Sequence, residues 1–276
     1  MNIKKKIIKL YKILIYKCKR KIDLDNQTLD LKSLNDLFNY FGTDKGTKVI
    51  NPYYKNAKDT IGHGYAKYYE EHLNTFRDKN INLLEIGTWE GGSTAAFYHY
   101  FKKAKIFCLD INFKFKFFSN RISFINCNTT LDSDIKKLEK FLTKNNSDFF
   151  DIIIDDGSHV YSEILSNFEI FFKKVKPGGL YIIEDFNAYK SYQYLNDAKK
   201  NSLDIENILE CLKSKKNFNS PFFSDIFKDF CFEEISDIKI NKGDTSNNGI
   251  NISGISFIKK KLNKNEERIN NNNSFI

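Results

Sequence analysis

The chain has 276 residues, 41% hydrophobic and 29% charged, with a formal net charge of +9. That length and apolar content suit one sizeable domain with additions and exclude a chain too polar to build a core. The five cysteines, Cys18, Cys108, Cys127, Cys211 and Cys231, are scattered, odd in number and without a C-x-x-C pair, which argues for a reducing, cytoplasmic setting and against structural zinc.

The basicity belongs to one segment. Residues 1 to 21 carry Lys4, Lys5, Lys6, Lys9, Lys12, Lys17, Lys19, Arg20 and Lys21 and no acid, so basic and acidic residues balance over the rest of the chain. On a helical wheel Ile3, Ile7, Ile8, Leu10, Tyr11, Leu14, Ile15 and Cys18 share one arc and most lysines take the other, which predicts a basic amphipathic helix over residues 1–24. Its longest apolar run, Ile13 to Tyr16, is far too short to span a bilayer or act as a secretory core. Peripheral contact of residues 1–21 with an anionic membrane fits this pattern, and the competing reading is a helix packed on its own domain or on a partner. No nucleic-acid partner is expected, because no recognised nucleic-acid module follows.

Residues 25–80 are predicted to form a mainly helical cap, with a lid loop from Phe41 to Gly64 and a helix from Tyr68 to Phe76. A core over residues 81–262 opens with a strand, Ile81 to Ile86, a glycine turn over Gly87-Thr88-Trp89-Glu90-Gly91-Gly92, and a helix from Ser93 to Lys103. Lys105 to Leu109 is the second strand, ending in Asp110, and Ile122 to Ile125 the third. Ile152-Ile153-Ile154 and Tyr181-Ile182-Ile183 read as short buried strands joined by a helix from Tyr161 to Lys176, on which Ile164, Phe168, Phe171 and Phe172 fall at helical spacing before Pro177-Gly178-Gly179 stops it. Leu203 to Leu212 is helical. Glu233 to Ile240 and Ile250 to Ile258 make an antiparallel edge hairpin, and the asparagine-rich tail 263–276 is expected to be disordered. Alternating strands and helices predict an α/β fold with a doubly wound, mostly parallel sheet.

Each of the two isoleucine-rich strands runs into acids: Asp155-Asp156-Gly157-Ser158-His159 after one and Glu184-Asp185 after the other. Parallel neighbours would bring these carboxylates and the imidazole to one sheet edge, where mutual repulsion requires a positive partner. A hard divalent cation, Mg²⁺ or Mn²⁺, on Asp156, Glu184 and Asp185 meets that need, with His159 as general base. The plainer reading of Asp-Asp-Gly is a turn that caps the next helix.

The turn after the first strand reads G-x-x-x-G-G and lacks the pyrophosphate fingerprint G-x-G-x-x-G. Glu85 before it and Glu90 within it would repel a pyrophosphate and favour a cationic ligand, and Asp110 is placed for ribose hydroxyls. The stretch Leu84-Glu85-Ile86-Gly87-Thr88-Trp89-Glu90-Gly91-Gly92-Ser93 followed by Asp110 resembles the S-adenosylmethionine site of class I methyltransferases. The two acidic clusters, with Thr43-Asp44-Lys45-Gly46, His63-Gly64-Tyr65 and Tyr69-Glu70, resemble the metal-dependent sugar O-methyltransferases that tailor macrolides and related glycosides, over roughly residues 40 to 260.

The resemblance implies a seven-stranded Rossmann-like methyltransferase sheet. It also implies cofactor contacts from Thr43, Lys45, Glu85, Gly87, Ser93, Asp110 and Asp155, metal ligation by Asp156, Glu184 and Asp185, His159 as base, and a sugar or glycoside acceptor. Homo-oligomer formation stays open. An NAD-dependent sugar-nucleotide oxidoreductase and a non-catalytic membrane-tethered scaffold are the other readings; the missing pyrophosphate fingerprint counts against the first, the intact acidic clusters and His159 against the second.

Overall fold

A computed structural model describes residues 3–49 and 60–263. Residues 50–59 of the expected lid loop and 264–276 of the expected tail lie outside the described residues. The chain divides into two compact units, Met1–Asn80 with Leu84–Lys140, and Ile81–Leu83 with Phe141–Ile276.

Seven strands form one mixed sheet: β1 (Asn82–Ile86), β2 (Lys105–Asp110), β3 (Ile122–Asn126), β4 (Phe150–Asp155), β5 (Val175–Glu184), β6 (Ile235–Lys242) and β7 (Gly254–Lys260). Their order across the sheet is β6-β7-β5-β4-β1-β2-β3. Strands β2 and β3 are parallel, as are β4 and β5, whereas β7 runs antiparallel to both β5 and β6. This is the expected parallel sheet with an antiparallel edge hairpin, and β4 and β5 are buried along most of their length as their unbroken apolar runs require.

In the first unit lie helices α1 (Ile3–Cys18), α2 (Leu34–Phe41), α3 (Ala66–Leu73) and α4 (Gly92–Tyr100). Ser33 caps α2 by accepting the Asp36 amide, Gly42 closes it in the left-handed conformation, and Phe38 packs edge-on against Tyr69 and Phe97. The segment 25–80 is less helical than the sequence suggests. Apart from α2, α3 and a 3₁₀ turn at Asn74–Phe76, its described residues are loops and the two-residue ladder pairing Lys48–Val49 with Thr60–Ile61. Helix α4 stops at Tyr100 rather than Lys103, because Phe101 turns extended and buries its ring.

Helix α5 (Asp132–Lys144), which the sequence pattern did not single out, precedes β4. The second unit then adds α6 (Tyr161–Phe171), α7 (Ile205–Ser214) and α8 (Asp225–Glu234). Helix α6 ends five residues earlier than expected, and β5 has already begun at Val175 after a 3₁₀ turn. Pro177-Gly178-Gly179 is therefore part of the strand. Gly178 has φ +73°, a Cβ on Gly179 would stand 2.7 Å from the Asp151 carbonyl, and the β4–β5 register slips between Phe150 and Ile152. The tripeptide forms an irregularity that glycine and a donor-less proline accommodate. The hairpin strands also start later than expected: α8, capped by Ser224, takes Glu233, and Ile250–Asn251 pairs with Ser246–Asn247 before β7 begins.

Phe168 of α6 sits among Phe172, Tyr181, Phe223 and Phe227, with ring centroids 5.2 to 6.0 Å away, and is 1% exposed. Phe168→Ala is expected to cost about 3–5 kcal/mol of stability, read from the urea midpoint, because a rigid aromatic cluster cannot collapse into the space left behind. A loss below about 1 kcal/mol would show that this cluster is loosely packed.

Candidate functional site

At the end of β1 the Glu85 carboxylate is fully buried and accepts hydrogen bonds from the hydroxyls of Thr88, at 3.1 Å, Ser93 and Thr94. Both oxygens are thus committed to the turn and the first residues of α4, which satisfies a buried charge that would otherwise be costly. The Glu85 hydrogen bonds shape the loop, and Ser93 is engaged in the same network. Thr88 and Thr94 were not singled out from the sequence, although hydroxyl residues beside a strand-ending acid are the signal for such a network.

Gly87 (φ +84°) donates its amide to Leu109 at 2.9 Å, which ties the turn to β2. Gly91 (φ +92°) precedes α4, and a Cβ there would meet the Phe115 ring at 2.4 Å, so this position combines a left-handed backbone with a close approach. Asp110, buried at the end of β2, accepts the amides of Trp89 (2.7 Å) and Asn112 (2.6 Å), which hold its carboxylate at the same turn. Glu90 is paired with Lys116, and Lys114 lies 3.4 Å over the Trp89 ring.

The cap signature joins this turn. Thr43 Cβ lies 3.7 Å from where a Cβ of Gly92 would be. Behind it, the His63 amide donates to the Asp44 carbonyl, Gly64 to Gly46 and Tyr65 to Lys45, so the two motifs lie backbone to backbone. Added bulk at Gly62 would meet the Gly46 carbonyl at 2.1 Å, which explains the glycine. Lys45 is 1% exposed. Thr43, Glu85, Gly87, Ser93 and Asp110 thus gather around one turn, with Lys45 two residues from Thr43.

In the second unit the structure brings together Asp156, His159 and Asp185, whose candidate ligand atoms all lie within 4.8 Å of one another. His159 Nε2 is 3.6 Å from Asp156 Oδ1 and 3.9 Å from Asp185 Oδ2. Glu184 is not a member of this group; it is buried as the last residue of β5, opposite Ile255. His159 (φ 58°) and Asp185 (φ 50°) both adopt the left-handed conformation in the loops that follow β4 and β5, a region that histidine and aspartate enter more readily than most residues. The oxygens of the two carboxylates suit a hard divalent cation, and the imidazole beside them is placed to serve as a base.

Asp155 is placed differently from its neighbour. Its carboxylate accepts hydrogen bonds from Tyr181 Oη at 3.0 Å and Asn167 Nδ2 at 3.2 Å, fully buried beneath α6. Burial pushes its pKa up to about 7 against those two hydrogen bonds. Both of its oxygens are thus engaged by side chains of the core.

Residues 84–186 match the family model described as a methyltransferase domain. Among curated proteins, demethylmacrocin O-methyltransferase of Streptomyces fradiae is 35% identical over 137 residues, 46% of this chain and 33% of that protein. The 8-demethyl-8-alpha-L-rhamnosyl tetracenomycin-C 2'-O-methyltransferase of Streptomyces olivaceus is 29% identical over 142 residues, 49% of this chain and 36% of that protein. The chain thus spans about a third of the length of these relatives. A solved structure of the MycE methyltransferase from the mycinamycin biosynthetic pathway, in complex with Mg, SAH and mycinamycin VI, superposes with a TM-score of 0.59 at 22% identity, covering 85% of this chain and 56% of that one. This likeness establishes the fold.

The raised pKa of Asp155 has a stability consequence with a definite sign. A carboxyl whose folded pKa, about 7, exceeds its unfolded value of about 3.9 favours the fold fully below the lower value and loses that contribution as pH rises through the higher one. Asp155→Asn, which cannot ionise, should therefore gain Tm relative to the parent as pH is raised from about 5 to about 8. A Tm difference that stays constant across that window in thermal melts would show that Asp155 ionises normally.

Proposed function

We propose that this chain, whose residues 84–186 match a methyltransferase domain, moves a methyl group from S-adenosylmethionine to a sugar hydroxyl of a glycan or glycoside with the help of a divalent cation. The observation that carries the reading is the Asp156–His159–Asp185 cluster, gathered in the loops after β4 and β5. The glycine turn supports the donor half. It offers tight backbone at Gly87 and Gly91 and the fixed Asp110 carboxylate, which suits ribose hydroxyls and a cationic ligand. A rhamnosyl group in the name of one relative supports a sugar acceptor. We place that acceptor in surface polysaccharide or glycoconjugate assembly, a reading supported by the basic, amphipathic N-terminal helix.

In this proposal Asp156 and Asp185 hold the cation, with Glu184 buried beside them at the strand end. A bound Mg²⁺ or Mn²⁺ would orient the acceptor oxygen and raise its acidity. His159 then takes the hydroxyl proton on its imidazole, and the carboxylates beside it stabilise the imidazolium that results. Thr43, Lys45 and the glycine turn bind and orient the donor, Glu85 holds the turn rigid, and alignment of donor and acceptor carries much of the rate.

Four measurements test this. Purified protein should bind S-adenosylhomocysteine in a calorimetric titration and show no heat with NAD; the reverse would mark an oxidoreductase. With labelled S-adenosylmethionine and cell-envelope glycan precursors, chelator treatment should abolish transfer and Mg²⁺ should restore it, and activity indifferent to chelator would remove the cation. His159→Ala should lower turnover by about 10²- to 10⁴-fold with cofactor affinity unchanged, whereas lost cofactor binding would make His159 structural. Asp185→Asn should blunt the Mg²⁺ response more than Glu184→Gln, and the opposite ranking would return Glu184 to the ligand set.

A further inference from the structure

Helix α1 sits on its own unit the wrong way round for a helix that buries its apolar face. Tyr16, from the lysine-rich side, packs against Phe113 and Phe124 with ring centroids 5.7 and 5.3 Å away, and Ile13 on the same side is half-buried. Lys21 lies 3.3 Å over the Tyr16 ring and donates to the Phe115 carbonyl at 2.5 Å. The opposite arc points to solvent: Ile7, Leu10, Tyr11 and Leu14 are 61 to 65% exposed, and Ile8 and Ile15 are 46% and 37% exposed. Five large aliphatic side chains and a tyrosine thus form an outward stripe at helical spacing.

We infer that this stripe docks on an anionic lipid bilayer, with α1 lying in the plane of the surface. Charge selects this occupant. Residues 1 to 21 hold nine basic side chains and no acid, so the stripe sits in the one strongly positive region of an otherwise balanced chain. On the wheel Lys12 and Lys17 border the apolar arc on either side, where long stems can keep their ammonium groups at headgroup level while the arc enters the acyl boundary. No described helix is long and apolar enough to cross a membrane, which leaves the in-plane arrangement. Packing through Tyr16 and Lys21 aims the stripe away from the body. The inference is independent of the methyl-transfer reading, since it uses none of the residues assigned there.

Flotation of the full chain with lipid vesicles tests it. Binding to phosphatidylcholine vesicles containing about 30% phosphatidylglycerol should exceed binding to phosphatidylcholine alone by about tenfold or more, and should fall in about 0.5 M NaCl. Leu10→Asp combined with Leu14→Asp, both at exposed positions, should reduce flotation to background while leaving the thermal melt and S-adenosylhomocysteine affinity unchanged. Equal binding to neutral and anionic vesicles, or undiminished binding by the double variant, would overturn the proposal. So would absence of flotation together with a dimer, seen by light scattering, that the double variant dissociates; the stripe would then be an interface between copies of this chain.

Discussion

A carboxylate buried at the end of the first core strand organises half of this molecule. Glu85 has no access to water, and its charge is tolerated because the hydroxyls of Thr88, Ser93 and Thr94 converge on it. Those hydrogen bonds fix the loop from Gly87 to Gly92 and the start of α4. That loop in turn presents the Trp89 amide to Asp110. The same burial reaches Cys108, whose thiol pKa is pushed well up, first by desolvation and then by the Glu85 charge.

The acidic cluster in the second unit obeys a different constraint. Asp156 and Asp185 carry carboxylates close to the same imidazole, an arrangement that favours positive charge at that point. Asp155, one residue away at the end of β4, is hydrogen-bonded to Tyr181 and Asn167, and burial raises its pKa against those bonds and the nearby His159.

Much of this was legible in the residues. The isoleucine runs of β4 and β5 announced covered strands, the acids after them announced a cluster, and the glycine turn announced where a helix begins. What escaped the pattern did so for physical reasons. Pro177-Gly178-Gly179 has the composition of a helix stop but is absorbed as an irregularity in β5, because register slip depends on the neighbouring strand. Glu184 and Asp155 are acids at strand ends like their neighbours, and one-dimensional spacing cannot say which carboxylate turns into the core. Helix α8 was not singled out in the sequence; the aromatic partners of its Phe227, Phe168 and Phe172, are distant along the chain.

The connection between α1 and the rest of its unit leaves little slack. Three residues after the helix ends, Ile22–Asp23 pairs in parallel with Phe117–Phe118, and Asp25 accepts hydrogen bonds from Tyr98 of α4 and from Ser119. The Lys116 amide donates to the Glu90 carbonyl and its own carbonyl receives the Ile22 amide, while the Phe115 ring fills the space above Gly91. A single relay of short contacts therefore runs from the helix to the glycine turn. Within this unit the orientation of α1 is thereby coupled, through backbone pairing and packing, to the direction in which that turn faces.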